Sequence, residues 1–347
     1  MLNNNEYIKF NNYSNITNVY IGNNTRIHSK DFSNKYSHMY NLKSGSIPKD
    51  ITNMSYTYSS CSSLTGSPVC GNNVTDMSFT YWNCFNITGN PVCGENVTNM
   101  SYTYSGCTNI TGNPVCGNNV RDMSTTYSYC SNLTGSPVCG PNVTSMGSTY
   151  LSCYNLTGSP VCGNNVTYMR DTYYNCSNLT GSPVCGENVT SMESTYYNCR
   201  NITGSPVCGD NVTDMSNTYY NCRNLTGNPV CGPNVTSMVN TYYNCYNLYG
   251  NMYMYSNNVS NIYNCFYGRN VSNILNIYVL KDSKSIYYLT NEVYELDEYD
   301  GNNKYISVIG NVILNWVNNN GNYYCKEINT YVYPVTNITE VRISNGD

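Results

Sequence analysis

Apolar side chains recur at a fixed spacing of 23 residues between Cys61 and Asn244. Counted from the first cysteine of each unit, Leu or Ile stands at position 4, Val at positions 9 and 14, Met at 17 and Tyr at 21. Cys at positions 1 and 10 and Thr at 20 are equally constant. Such a period is typical of repeat proteins whose units bury their apolar faces on one another. The units begin at Cys61, Cys84, Cys107, Cys130, Cys153, Cys176, Cys199, Cys222 and Cys245.

The pattern within a unit favours short β elements over helices. No apolar stripe follows the 3.6-residue period of a helix, and Gly and Pro occur in every unit. We therefore expect parallel bridges between successive coils, spaced by about 4.8 Å. Because Pro at position 8 has no N–H for a ladder, one strand is predicted just after it, at the Val-Cys pair, and another at Val-Thr-x-Met. The constant apolar positions, Val at position 9 included, are predicted to point inward.

The two ends of the chain differ from the middle. Residues 1–45 are predicted to be an N-terminal capping coil, because the end units of a repeat array have one face in water. The repeats are assigned to 46–277, and residues 278–347 show apolar alternation broken by Asn- and Gly-rich turns. That alternation predicts β-hairpins, hence a small antiparallel β cap at the C-terminal end. Oligomerisation or attachment to a virion is the functional alternative for this last region.

Two stretches, VTNMSYTYSGCTNI at 97–110 and VTSMESTYYNCRNI at 189–202, carry the repeat most clearly. They resemble the BspA-like leucine-rich repeats, which are built on Val-Thr-Asn-Met, an aromatic residue, Cys, and then Leu or Ile. The resemblance covers about 46–265 and implies a mainly β fold, a leucine-rich-repeat-type β-solenoid of about ten 23-residue coils. The chain departs from the family where Gly-Ser/Asn-Pro-Val-Cys replaces a Leu-x-Leu strand. The family is associated with adhesion and binding proteins of cell surfaces, and similar repeats appear in phage proteins.

The composition limits the classes of partner. Charged residues are only 10% of the chain and the net charge is −4, which gives no basic field for nucleic acid or an anionic membrane. The first residues lack the charged and apolar regions of a conventional secretory signal, and no run of about 18 apolar residues follows. We therefore expect no nucleic acid and no membrane insertion. Synthesis in the cytoplasm followed by a place outside the cell, on a virion or on a cell surface, is the predicted localisation.

The 19 cysteines and the recurrent Asn-Val-Thr each have more than one interpretation. Cysteines stacked coil on coil suit buried thiols, but their spacing also permits axial disulfides. A metal site is less favoured, because there is no Cys-x-x-Cys pair and both His residues lie outside the repeats. Asn-Val-Thr fits a glycosylation acceptor, whereas the structural alternative is an Asn hydrogen bond repeated in each coil.

Catalytic chemistry has no support in the sequence. There is no Gly-rich phosphate loop, no nucleophile elbow and no His within the regular array to act as a base. The chain is therefore predicted not to be an enzyme and to use no cofactor and no metal.

The candidate binding residues lie at positions 22 and 2, which flank the inward Tyr and Cys. These variable positions carry Tyr and Arg in the C-terminal half, and they should crowd one outer edge of the coils. Aromatic and Arg side chains are good anchors for a protein or sugar partner, although the same tyrosines could simply pack on their neighbours. The predicted binding residues are Tyr174, Tyr197, Tyr220, Tyr243, Arg200, Arg223, Tyr154 and Tyr246.

These observations lead to a hypothesis of a non-enzymatic binding or adhesion protein at a surface. A phage tail-fibre or virion appendage component that recognises a host surface glycan or protein fits best, with other virion or surface proteins as further partners. A homo-oligomer is compatible with the chain. The alternatives are a purely structural spacer or assembly protein, and an intracellular protein–protein interaction scaffold.

Overall fold

The computed structural model describes residues 15–22, 29–254, 256 and 258–268, and the backbone of the strands that follow. These residues form no α-helix, and their regular structure is β, as a mainly β fold predicts. The described part therefore offers no helix long and apolar enough to cross a membrane. The strands are β1 (Asn18–Val19), β2 (Ser44–Gly45), β3 (Gly250–Met254), β4 (Leu275–Val279), β5 (Tyr294–Tyr299), β6 (Asn303–Val308), β7 (Val312–Asn315), β8 (Tyr324–Cys325), β9 (Thr330–Tyr331) and β10 (Tyr333–Pro334).

Successive repeats lie on one another through parallel bridges at position 16. Asp76 pairs with Asn99, Asn99 with Asp122, and the series continues to the pair of Ser237 and Asn261. The series also begins before the first full unit, because Asp31 pairs with Asn53. The predicted strand at Val-Thr-x-Met is thus a bridge of a single residue, repeated in every unit.

The turn that follows each bridge carries most of the hydrogen bonds between repeats. Between the third and fourth units, the N–H groups of Met123 and Thr125 donate to the carbonyls of Ser145 (3.1 Å) and Gly147 (2.8 Å). The N–H groups that alternate with them bond within their own turn: Ser124 donates to the Asp122 carboxylate and Thr126 to the carbonyl of Met123. This alternation requires left-handed backbone at positions 19 and 23, where residues such as Thr125 have φ near 58°. Asn tolerates that region best among residues with side chains, and it fills position 23 in the later units.

Six of the eight constant positions form the predicted core. Leu or Ile at 4, Val at 14, Met at 17, Thr at 20, Tyr at 21 and Cys at 1 are buried in every full unit. The polar members have partners: Thr149 donates to the carbonyls of Met123 (2.9 Å) and Met146 (2.7 Å), and the Cys153 thiol donates to Tyr127 (3.0 Å). A buried hydroxyl or thiol therefore adds no unsatisfied group to the core.

The remaining two positions correct the prediction. Val at position 9 is not inside: Val69 is 44% exposed, and Val92 and Val115 are half-buried. Cys at position 10 is also half-buried in all but the last full unit. The predicted strand at Val-Cys does not form in the described repeats, because the backbone of Val at position 9 bonds to a tyrosine instead of to a neighbouring coil.

That tyrosine is the inner Tyr at position 21. The Tyr150 hydroxyl donates to the carbonyl of Val138 (2.8 Å) and accepts from its N–H (2.9 Å). Its ring lies parallel to those of Tyr127 and Tyr173, with centroids 5.6 Å away on each side. One side chain thus satisfies both backbone hydrogen-bonding groups of a Val in its own unit, and its ring stacks on the equivalent rings of the two neighbouring units.

Glycine at position 11 is required by the approach of the preceding repeat. A Cβ on Gly140 would lie 2.8 Å from both the Cys116 Sγ and the carbonyl oxygen of Gly117. On Gly163 the corresponding clearances are 2.9 Å to Sγ and 3.3 Å to the carbonyl. Because a backbone carbonyl cannot rotate away as a thiol can, the two glycines differ in tolerance.

We expect Gly140→Ala to destabilise the fold by about 2–3 kcal/mol, and Gly163→Ala by about 1 kcal/mol, because Cβ would be 2.8 Å from a backbone carbonyl in the first and 3.3 Å in the second. Urea unfolding of the two variants and the parent measures the difference. Equal midpoints for the two variants would contradict the role of the carbonyl contact.

The strands after the repeats are not all antiparallel, which corrects the predicted cap. Strand β7 pairs in parallel with β4, and β4 also pairs in parallel with β3, a strand within the range assigned to the repeats. Hairpin pairing does occur between β5 and β6 and between β8 and β9, while β10 joins β6 in parallel. The alternation in this region identified strands correctly, but alternation alone does not fix their direction.

Candidate functional site

The predicted binding tyrosines at position 22 form a ladder of stacked rings, here called the outer tyrosine ladder. Tyr174, Tyr197, Tyr220 and Tyr243 are half-buried, and successive ring centroids are 4.4–4.5 Å apart with interplanar angles of 3–7°. Tyr267 extends the ladder at 5.0 Å from Tyr243. Partial removal from water raises the pKa of Tyr174.

Stacking decides what the outer tyrosine ladder can offer to a partner. Within the ladder each ring face is covered by the next ring, so a sugar or a side chain has no free face there to stack on. The ring edges and the row of hydroxyls are what remain exposed. The ladder therefore contributes to the scaffold first, and any contact with a partner is through hydroxyl hydrogen bonds.

The predicted residues at position 2 are more open to solvent. Arg200 and Arg223 are exposed, and Tyr154 is 45% exposed. The Arg223 guanidinium lies 5.6 Å from the ring centroid of the half-buried Tyr246, a cation–π contact. Position 2 thus keeps the exposed anchors that position 22 lacks.

The structure also contains an outer aromatic stack in the first units. Phe79, Trp82 and Phe85 stand out in the sequence as an aromatic cluster, but the stacking of Phe79 with Tyr56 and Tyr102 was not predicted. Tyr56, Phe79 and Tyr102 stack at 4.4 Å, at position 19 of consecutive units. Trp82 meets Phe79 edge-on at 6.3 Å. Three aromatic residues at one position of adjacent units were a visible signal, but only a repeat alignment by position shows that they superpose.

A polar groove runs across the first coils, on both sides of the inward Val at position 14. Its volume is about 610 Å³. Asn at position 13 and Thr at position 15 alternate along its wall, and two cations stand among them. The lining residues are Lys30, Thr52, Asn73, Thr75, Asn96, Thr98, Asn119, Arg121 and Asn142.

The same residues settle the role of Asn-Val-Thr in the fold. The Asn119 Nδ2 donates to the carbonyl of Glu95 (2.9 Å), and Asn142 donates to Asn118 at the same distance, in each case one coil earlier. The Thr98 hydroxyl donates to the carbonyl of Thr75 (3.1 Å). The structural interpretation of this Asn is confirmed, since its side chain ties each coil to the previous one.

The cysteines of the described part are free thiols. Burial raises the pKa of Cys61 to about 12, and that of the half-buried Cys70 to about 11. The thiols therefore stay protonated near neutral pH, where the thiolate is the reactive form. The described residues contain no group of three His, Cys, Asp or Glu placed to hold a metal.

Comparison with known proteins gives one short similarity. The sequence model of the Kazal-type serine protease inhibitor domain matches residues 148–180, little more than one repeat unit. The three cysteines of this stretch, Cys153, Cys162 and Cys176, are free thiols that occupy the same positions as those of neighbouring units. No curated protein and no solved structure matches the chain.

Proposed function

We propose that the chain is a non-enzymatic, surface-exposed binding protein built on a BspA-like, leucine-rich-repeat-type β-solenoid of about ten coils. In this proposal it is a phage tail-fibre or virion appendage component, located outside the cell or on a virion or cell surface. Its partner is a glycan or protein of the host surface. The stacked coils would hold many weak contacts in one fixed geometry, which limits the ordering cost of binding.

The observation that carries this proposal is the polar groove, whose wall repeats the same Asn and Thr in consecutive coils. Hydrogen-bonding groups at a regular spacing fit a ligand that is itself a chain of similar units. A host glycan meets that description, and its affinity would grow with the number of coils it contacts.

A purely structural role is the second candidate, favoured by the outer tyrosine ladder. Tyr174, Tyr197, Tyr220 and Tyr243 stack on one another, so these side chains can be explained by stabilisation alone. A spacer or assembly protein, or an intracellular interaction scaffold, would need no ligand on this face.

A glycan array and a cell-binding assay on the purified chain separate the two candidates. We expect the parent chain to bind a host glycan or cell surface, and Arg200→Ala with Arg223→Ala to weaken protein contacts at position 2 without changing the fold. Tyr197→Ala and Tyr220→Ala should instead lower the urea midpoint, because each removes a stacked ring. Absence of binding to every glycan and cell type would favour the structural role.

A further inference from the structure

We infer that the polar groove is a binding site for an acidic oligosaccharide laid along the stack of coils, with its anionic groups at Lys30 and Arg121. This inference rests on the proposed function, because it assigns the ligand class and the site to it. The groove lies over the first coils, away from the outer tyrosine ladder of the C-terminal half.

The wall of the groove offers more hydrogen-bond acceptors than donors, with one further N–H on each Asn amide. The amide nitrogens of Asn96, Asn119 and Asn142 already donate to the previous coil, and within the described residues their Oδ1 atoms accept no hydrogen bond. The hydroxyls of Thr75 and Thr98 likewise donate their proton to a carbonyl, and their oxygen lone pairs can still accept a hydrogen bond from a ligand. Acceptors in rows suit a ligand rich in hydroxyl donors, which is the chemistry of a sugar chain.

Lys30 and Arg121 define the length of the site. Both occupy position 15 of their coils, and Thr52, Thr75 and Thr98 occupy it in the three coils between. With about 4.8 Å from coil to coil, the two cations stand about 19 Å apart along the stack. Neither forms a salt bridge with a described residue, so both charges are available to carboxylate or sulfate groups.

The carboxylates near the groove do not neutralise these cations. The carboxylates of Asp31, Asp76 and Asp122 each accept a hydrogen bond from the N–H of the serine two residues later. Each carboxylate is therefore held against the backbone turn of its own coil. Asp50 occupies position 13 in the coil of Thr52, and Glu95 occupies position 12 two coils later; both are exposed and neither lines the groove. The lining itself carries two positive charges and no negative charge.

The rest of the array supplies an internal comparison. Position 15 is Thr in every later full unit, so the same face carries Asn and Thr but no cation over the C-terminal half. The later residues at this position are Thr144, Thr167, Thr190, Thr213 and Thr236. The charges are therefore a local addition to a neutral wall, which points to anion recognition at this one place.

The test uses the full chain, with oligogalacturonate and a heparin oligosaccharide as acidic probes and the methyl ester of oligogalacturonate as a neutral probe of the same shape. Lys30→Thr and Arg121→Thr restore the residue that the repeat itself uses, so both variants keep the fold. We expect each to weaken binding of an acidic probe by about tenfold, as the loss of one charged contact predicts. Thr190→Ala, in the neutral half, is the control and should leave the affinity unchanged.

Added salt should weaken binding of the acidic probe, and the methyl ester should bind poorly. Binding that is unaffected by Lys30→Thr and Arg121→Thr, or no binding of either acidic probe, would overturn the assignment. Binding of a neutral glycan that is insensitive to both variants would overturn this site while the proposed function stands. If no glycan and no cell surface binds the chain, both this site and the proposed function are contradicted.

Discussion

Unfolding of the chain is expected as the pH rises from about 9 to about 10.5, without any denaturant. An ordinary thiol ionises near pH 8.5 and an ordinary tyrosine near pH 10. Burial raises the pKa of the Cys84 and Cys153 thiols and of the Tyr81 and Tyr150 hydroxyls well above those values. The folded chain therefore keeps protons that the unfolded chain has already lost.

Because the folded chain binds more protons than the unfolded chain, the free energy of unfolding falls as the pH rises. Below the pKa of the unfolded thiols, both states are protonated and the stability contributed by neutral burial is fully present. Above it, each thiol that stays neutral in the fold lowers the free energy of unfolding by about 1.4 kcal/mol per pH unit. The described part contains 18 free thiols, all with raised pKa values, so the summed slope is on the order of 20 kcal/mol per pH unit. That exceeds the whole stability of an ordinary domain, about 5–15 kcal/mol, within one pH unit.

Circular dichroism and tyrosinate absorbance, recorded together against pH in the presence of a reductant, measure this transition. The inner tyrosines, such as Tyr81 and Tyr150, have pKa values raised by burial and should ionise only in step with unfolding. Return to neutral pH is the control for irreversible change. A fold that persists to about pH 11 with its inner tyrosines ionised would contradict the prediction.

Much of the core could be predicted from the repeat itself. A side chain that lies over its own copy in every coil must fit a regular stack, so constant apolar positions such as Met146 and Leu156 were assigned inside, and both are fully buried. The same rule failed for Val138, which is constant and only half-buried. The hydrogen bonds at this position are made by the backbone of Val138, which binds the Tyr150 hydroxyl, and a sequence does not indicate which backbone groups a side chain will bind.

The candidate site was predictable to a smaller extent. The sequence placed Tyr197 and Tyr220 on one outer edge, and the structure has them adjacent, but their mutual stacking depends on side-chain rotamers that the pattern does not encode. Lys30 and Arg121 are far apart in sequence and only the first lies outside the obvious repeats. Their common position appears once the bridge between Asp31 and Asn53 sets the register of the first coil.

The inner tyrosine stack leads to the largest effect expected from a single substitution. Tyr150 is fully buried between Tyr127 and Tyr173, and its hydroxyl forms hydrogen bonds with both the N–H and the carbonyl of Val138. Tyr150→Ala removes the ring and leaves a cavity in the stack, for which we expect a loss of about 4–5 kcal/mol. Tyr154→Ala, at an exposed site four residues later, is the matched control and should change stability by no more than about 0.5 kcal/mol.

Tyr150→Phe separates the ring from the hydroxyl. It keeps the stack but leaves the N–H and carbonyl of Val138 without their partner, so we expect a loss of about 1–3 kcal/mol. Urea unfolding of the three variants, with hydrogen exchange of the Val138 amide, measures both contributions. Faster exchange at Val138 in Tyr150→Phe would accompany that loss. If Tyr150→Phe is as stable as the parent, the tyrosine hydroxyl does not hold the turn after Pro137, and the constancy of Tyr at position 21 is due to ring stacking alone.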